Sequence, residues 1–176
     1  MNLQSLENIK SAIRDVPDFP KPGILFKDIT TLLKDIMLLD EAIQGMVEQV
    51  KDIQIDAIAA IESRGFIFGT AMALKMDKGF IPIRKPGKLP AKIVSETYEL
   101  EYGSDSIEIH EDALDKGDNI LIVDDLLATG GTALASIKLI EKLGGIVTGL
   151  SFLVELEFLE GRNKFSDYQI FSLIAY

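Results

Sequence analysis

The chain has 176 residues, 47% of them hydrophobic and 26% charged, enough for one compact domain with a sizeable core and too few for two ordinary ones. Its net charge of -10 argues against nucleic acid as a partner, because a phosphate polymer is repelled unless basic groups cluster. It has no cysteine, which excludes disulfides, thiolate zinc sites and cysteine nucleophiles and suits a reducing, cytoplasmic setting.

Leu3, Leu6, Ile9 and Ile13 recur at spacings of three and four behind Asn2, a capping residue, and predict an opening amphipathic helix that ends before Pro17. The polar residues from Met1 to Asp15 do not read as a secretory signal, and no apolar run approaches the ~18 residues of a membrane span. Three prolines between Pro17 and Gly23 forbid regular helix and predict a stiff loop ahead of Ile24, Leu25 and Phe26. A second helix is predicted after Asp40, with Ala42, Ile43, Met46, Val47 and Val50 on one face.

From there the pattern becomes strand, turn, helix. The apolar run Ala57 to Ile61 leads through Glu62-Ser63-Arg64-Gly65 into a helix ending near Met76, and Phe80 to Ile83 is the next strand. Ile120 to Val123 leads through a turn from Asp124 to Gly131 into a helix ending near Leu143, and Ile146 to Val154 is strand again. All-apolar strands alternating with helices predict an α/β fold whose mostly parallel sheet is covered on both faces. Lys92 to Ile109 alternates polar and apolar residues and predicts an antiparallel excursion carrying a mobile loop. The single histidine, His110, alternates onto the face of Glu108 and is expected to be exposed, which leaves no Ser-His-Asp triad.

Charge is distributed unevenly. Residues 64–92 hold seven cations (Arg64, Lys75, Lys78, Arg84, Lys85, Lys88 and Lys92) against Asp77, whereas residues 96–125 hold eleven acids against Lys116. Cations concentrated at strand-to-loop junctions of an acidic chain suit a compact polyanion such as pyrophosphate. Arg64 and the Arg84-Lys85 pair follow apolar strands directly, at the carboxyl edge where parallel sheets bind ligands; Lys75, Lys78 and Lys92 read equally well as solvated surface.

The strongest local signal runs from Ile120 to Thr132. An apolar strand delivers Asp124 and Asp125 to its end, and Leu126-Leu127-Ala128-Thr129-Gly130-Gly131-Thr132 then opens a helix. Backbone N–H groups, the Thr129 and Thr132 hydroxyls and the positive end of the helix dipole make a cradle for one phosphate. No Walker or dinucleotide glycine pattern occurs. Two carboxylates beside such a cradle repel further phosphates but accept hydrogen bonds from sugar hydroxyls, so a sugar phosphate fits better than a nucleotide's phosphate chain.

In these residues the sequence resembles the type I phosphoribosyltransferases, and within them most closely the branch that acts on adenine. The likeness continues through Asp18 to Ile29, Ser63-Arg64-Gly65-Phe66, Arg84 to Pro90, Tyr98 to Gly103 and Asp124 to Thr132. It implies one phosphoribosyltransferase domain over residues 1–176, with residues 1 to about 33 forming a small base-binding hood. It implies transfer of the 5-phosphoribosyl group from phosphoribosyl pyrophosphate (PRPP) to N9 of adenine, with magnesium held by substrate oxygens and water rather than directly by the chain. By resemblance Ala128, Thr129, Gly130, Gly131 and Thr132 hold the 5-phosphate, and Asp124 with Asp125 the ribose hydroxyls. Arg64, Arg84, Lys85, Lys88 and Tyr102 face pyrophosphate, while Leu25, Phe26, Lys27 and Leu126 receive adenine. Glu101, in the loop expected to close over the site, and Arg64 are the implied catalytic residues. The resemblance further implies a homodimer and a cis peptide bond within Glu62-Ser63-Arg64.

Lys27 stands where the family usually carries arginine, which alters any side-chain contact there and spares a backbone one. The alternatives are an enzyme for another purine, such as xanthine, and a PRPP-sensing regulator. Ala128 stands where 6-oxopurine enzymes typically carry an aspartate. The length and the charge of -10 leave little room for a regulator's nucleic-acid surface.

Overall fold

The computed structural model describes residues 1–99 and 104–176 and comprises two compact units, Met1–Gly45 and Met46–Tyr176. In the first, α1 (Leu3–Ala12) begins where Asn2 accepts a hydrogen bond from the Ser5 N–H at 2.8 Å. Ile9 is its fully buried residue, whereas Leu3 is 82% exposed although it fits the apolar spacing. Strands β1 (Arg14–Pro17) and β2 (Leu25–Asp28) pair antiparallel, with Val16 opposite Phe26. The proline-rich loop between them, predicted as stiff, is held internally. The Gly23 N–H donates to Asp18 Oδ1 at 2.7 Å, and the rings of Phe19 and Phe26 meet edge to face at 5.2 Å.

Two short elements here carry no periodic signal, the strand β1 and the helix α2 (Thr30–Lys34). The next helix, α3 (Ile36–Gln49), starts four residues earlier than the predicted boundary at Asp40. The cause is a cap: the Asp35 carboxylate accepts from the N–H groups of Met37 and Leu38 at 3.0 and 3.2 Å.

The second unit is built on a five-stranded, all-parallel sheet in the order β4-β3-β7-β8-β9. Its elements are β3 (Ala57–Ile61), α4 (Gly65–Met76), β4 (Gly79–Ile83), the hairpin β5 (Ile93–Glu99) and β6 (Ser104–His110), β7 (Asn119–Leu127), α5 (Gly131–Lys142), β8 (Ile146–Glu155) and β9 (Ile170–Ala175). The crossover through α4 moves from β3 outward to β4, and the one through α5 moves from β7 the other way to β8. Because such crossovers are right-handed, the two helices cover opposite faces. The core agrees: Ala59, Ile61, Ile120 and Ile122 pack with Ala133, Ile137 and Ile140 of α5, while Gly69 of α4 lies against Ala60. Between β3 and β7 the chain therefore departs in opposite directions, and a crevice opens at the carboxyl ends of the strands.

Two expectations change. Strand β7 runs on through Asp124 and Asp125 to Leu127, because Asp124, Leu126 and Leu127 continue the ladder opposite Phe152, Val154 and Glu155 of β8. His110 is half-buried, and its Nε2 is shielded with no hydrogen-bond partner among the described residues. The hairpin agrees with the predicted antiparallel excursion, its ladder running from Ser95–Glu108 to Glu99–Ser104. No helix among the described residues is long and apolar enough to cross a membrane.

Candidate active site

The ends of β3 and β4 lie side by side, Ile61 opposite Ile83, so the residues that follow them are neighbours in space. Glu62 accepts from both ends of the Arg84 guanidinium, at 3.2 Å from Nε and 3.2 Å from Nη2, and from the Lys85 N–H at 2.9 Å. The Arg84 hydrogen bond and charge hold the Glu62 carboxyl below its usual range. The peptide between Glu62 and Ser63 is cis, within the segment expected to contain such a bond.

Arg64 stands at the start of α4, and its Nε lies 2.8 Å from Asp125 Oδ2. The next residue, Gly65, brings the helix against β7. A Cβ at this position would stand 2.8 Å from Asp124 Oδ1 and 3.0 Å from the Val123 carbonyl oxygen. Gly65 thus lets the helix start and the paired carboxylates share one crevice. Burial pushes the carboxyls of both Asp124 and Asp125 above the usual range, reinforced at Asp124 by the neighbouring Asp125 charge and opposed at Asp125 by Arg64.

Two hollows adjoin at these acids. One, of about 380 Å³, is lined by Glu62, Ser63, Arg64, Lys85, Asp124, Asp125 and Thr132. The other, of about 80 Å³, is enclosed by Asp124 and the turn from Leu126 to Ala133. Gly130 caps α5 with φ of +79°, a left-handed conformation that costs glycine little, and no acid occupies the first turn of the helix. A helix start of this kind offers an anion its free backbone N–H groups, with the positive end of the dipole behind them.

The hairpin joins the two hollows. Thr132 Oγ1 donates to the Tyr98 hydroxyl at 3.1 Å, and Tyr98 donates to Asp105 Oδ2 at 3.2 Å. Asp105 in turn is ion-paired with Lys85. The base of this excursion is thus anchored to the site. Glu62, Tyr98 and Asp105 carried no functional assignment from the sequence. Their proximity follows from strand register, which the linear pattern does not display.

The structure gathers Arg64, Lys85, Asp124, Asp125, Leu126 and Ala128 to Thr132 around one crevice. Arg84 is beside it through Glu62, and Lys88 is exposed, its carbonyl accepting from Arg84 Nη1 at 3.1 Å. Lys75 and Lys78 lie near the amino end of β4, at the opposite edge of the sheet, and do not contribute to the cationic crevice. Within the first unit, Leu25, Phe26 and Lys27 are on β2, and the Lys27 ammonium lies 2.6 Å from Asp15 Oδ1. Glu101 and Tyr102 lie outside the described residues.

A crevice at a reversal of strand order, with a helix-start cradle and two carboxylates on one side and cations on the other, is built for a phosphorylated sugar carrying a second anionic group. The phosphoribosyl transferase domain family matches residues 27–174. The adenine phosphoribosyltransferase of Halothermothrix orenii is 59% identical over 166 residues, 94% of this chain and 98% of the relative. The chain belongs to the adenine phosphoribosyltransferase family. The crystal structure of the family member from Thermoanaerobacter pseudethanolicus superposes with a TM-score of 0.95 at 55% identity, covering 97% of this chain and 99% of the other. That of Saccharomyces cerevisiae, complexed with an imino-altritol bisphosphate and adenine, has a TM-score of 0.91 at 40% identity over 98% and 99% of the two chains.

Phosphoribosyltransferases generally use PRPP with magnesium. Among the described residues no group of three or more His, Cys, Asp or Glu side chains is placed to hold a metal ion. The crevice instead supplies the carboxylate pair Asp124–Asp125, which fits a small cation carried mostly by ligand oxygens and water.

Proposed function

We propose that this chain transfers the 5-phosphoribosyl group of PRPP to N9 of adenine, giving AMP and pyrophosphate in purine salvage. The observation that carries this reading is the pair of adjoining hollows sharing Asp124 and Thr132, one formed by the turn that starts α5 and the other lined by Arg64 and Lys85. In this assignment the turn from Ala128 to Thr132 accepts the 5-phosphate and the ribose hydroxyls donate to Asp124 and Asp125. Arg64, Arg84, Lys85 and Lys88, with Tyr102, receive pyrophosphate.

Transfer breaks the bond from C1 of the ribose to the pyrophosphate oxygen and forms the bond from C1 to N9. Positive charge grows on the sugar as pyrophosphate departs with the electron pair, so fixed cations around the leaving group lower the barrier. Arg64 and Lys85 are held by Asp125 and Asp105; in the assigned role they exchange these carboxylates for the leaving anion. The proton released from N9 is assigned to Glu101, and the reacting sugar must be kept from water. When bound with the substrate, magnesium would supply further neutralisation of the pyrophosphate charge beside Arg64 and Lys85.

Adenine is assigned to Phe26 and Leu126, with the backbone around Leu25 and Lys27 reading its edge. The Lys27 ammonium is engaged by Asp15, which suits a backbone rather than a side-chain role. The adenine complex of the yeast relative and the alanine at position 128 support adenine over a 6-oxopurine. A homodimer and a cytoplasmic location belong to the same reading. Incubation with PRPP, magnesium and each purine base in turn tests it: AMP should form with adenine, and a product formed only from hypoxanthine, guanine or xanthine would overturn the base assignment.

A further inference from the structure

The segment after β8 carries no motif, yet it touches the phosphate turn at two points. Gly161 lies so close to Ala128 that a Cβ there would stand 2.0 Å from the Ala128 carbonyl oxygen and 3.2 Å from the Gly130 backbone nitrogen. The Phe165 ring, 2% exposed, lies against Gly130, where a Cβ would meet two ring carbons at 2.9 Å. Ala128 and Gly130 flank Thr129, so both sides of the turn rest on this segment.

The segment is itself anchored. It forms a short 3-10 turn, Gly161–Lys164, in which Arg162 donates from Nε to Glu155 Oε1 at 2.9 Å and is ion-paired with Glu155 through Nη2. Arg162 Nη1 also donates to the Ile170 carbonyl at 3.1 Å. Glu155 is 4% exposed, accepts from Ser172 Oγ at 2.6 Å, and ends β8 opposite Leu127, the residue before Ala128. Further along, the Tyr168 hydroxyl donates to Glu141 of α5 at 2.7 Å. The pair is buried only on its Glu155 side, Arg162 being 47% exposed, and an ion pair open to solvent adds little to stability. The pair ties the residue after Gly161 to the end of β8.

We propose that Gly161 is a positioning residue for the phosphate-binding turn, setting the Ala128 carbonyl and the Gly130 amide, with the Arg162–Glu155 pair as its anchor. The inference rests on the reading that this turn receives the 5-phosphate. An anion cradle works only while its N–H groups stay within hydrogen-bond reach. A side chain at 161 meets backbone rather than a yielding side chain, so the turn itself must give way by a distance on the order of 1 Å, enough to misalign a bound group.

The test compares wild type with Gly161→Ala, Arg162→Lys and Arg162→Ala, using steady-state kinetics, calorimetry with ribose 5-phosphate, and thermal melting. Gly161→Ala should raise the KM for PRPP and the Kd for ribose 5-phosphate at least tenfold, with the KM for adenine within twofold and kcat at saturating PRPP little changed, the pattern of lost ground-state binding. Arg162→Ala should move the same two constants, and Arg162→Lys should fall between it and wild type. If Gly161→Ala does not fold, the Arg162 pair decides by the same split. Variants that melt earlier but keep wild-type KM for PRPP and wild-type Kd for ribose 5-phosphate would overturn the positioning role. A wild-type protein that makes no AMP yet binds ribose 5-phosphate more tightly than Gly161→Ala would overturn the functional reading and leave the positioning role standing.

Discussion

Asp124 and Asp125 show how one position can serve binding at the expense of folding. Their carboxyls are pushed up by burial, so the folded chain holds its protons to higher pH than the unfolded chain does. Stability is therefore lost as pH rises from the ordinary aspartate value through the raised one. Asp124→Asn keeps an oxygen to accept from the Asp125 N–H, 2.8 Å away in the native protein, and removes the buried charge. This variant should melt above wild type at pH 7, with the difference vanishing as pH falls toward 4. It should bind PRPP more weakly, because a charge-assisted acceptor for a ribose hydroxyl is worth roughly 1.5–3 kcal/mol. Melting curves across pH and PRPP titrations would check both, and unchanged PRPP affinity would remove the ribose assignment. Glu101→Gln addresses the proton: it preserves shape but cannot exchange a proton, so kcat should fall ~10²- to 10⁴-fold with PRPP binding little altered. Full turnover where chemistry limits the rate would reduce Glu101 to a surface acid.

Helix α4 owes its place to its first residue. Alanine at 65 would press on the Val123 carbonyl at 3.0 Å and on Asp124 Cα at 3.2 Å as well as on the carboxylate. Overpacking against backbone typically costs about 1–3 kcal/mol. Gly65→Ala should lose that much in a urea titration and also raise the KM for PRPP, since Arg64 and Asp124 move together; lost stability with unchanged KM would show that the helix start can shift without disturbing the crevice. The long elements were legible in the sequence because their apolar runs match their burial: Ala57 to Ile61 and the helix ending at Met76 appear with those bounds. The cradle was legible for a related reason, because an acid pair and a glycine turn between strand and helix are local in sequence. Elements that depend on partners were not. β1 is a strand only because β2 lies beside it, and β7 continues past Val123 only because β8 continues with it. The same holds for Glu62, Tyr98, Asp105 and Gly161, whose surroundings are set by chain segments distant in sequence.

For the whole molecule, the question is how a chain of net charge -10 attracts a polyanion. Arg64, Arg84 and Lys85 stand together at the crevice, where a polyanion can displace the carboxylates that pair with them, and added salt screens that attraction over about 10 Å at 0.1 M. The KM for PRPP should therefore rise several-fold between low and high potassium chloride, while the KM for uncharged adenine stays nearly level; parallel changes in both would point to a general effect of salt on the fold. The ion pairs described above carry this further. Arg64 has Asp125, Arg84 has Glu62 and Lys85 has Asp105, so the crevice resembles an ion-exchange resin stored in its internally neutralised form. A guest gains entry only by delivering, on one rigid body, the negative charge of the carboxylates it displaces, and a solitary chloride or acetate does not. When pyrophosphate leaves, the same carboxylates are at hand to reclaim the cations, which makes product departure an exchange of partners rather than the separation of bare charges.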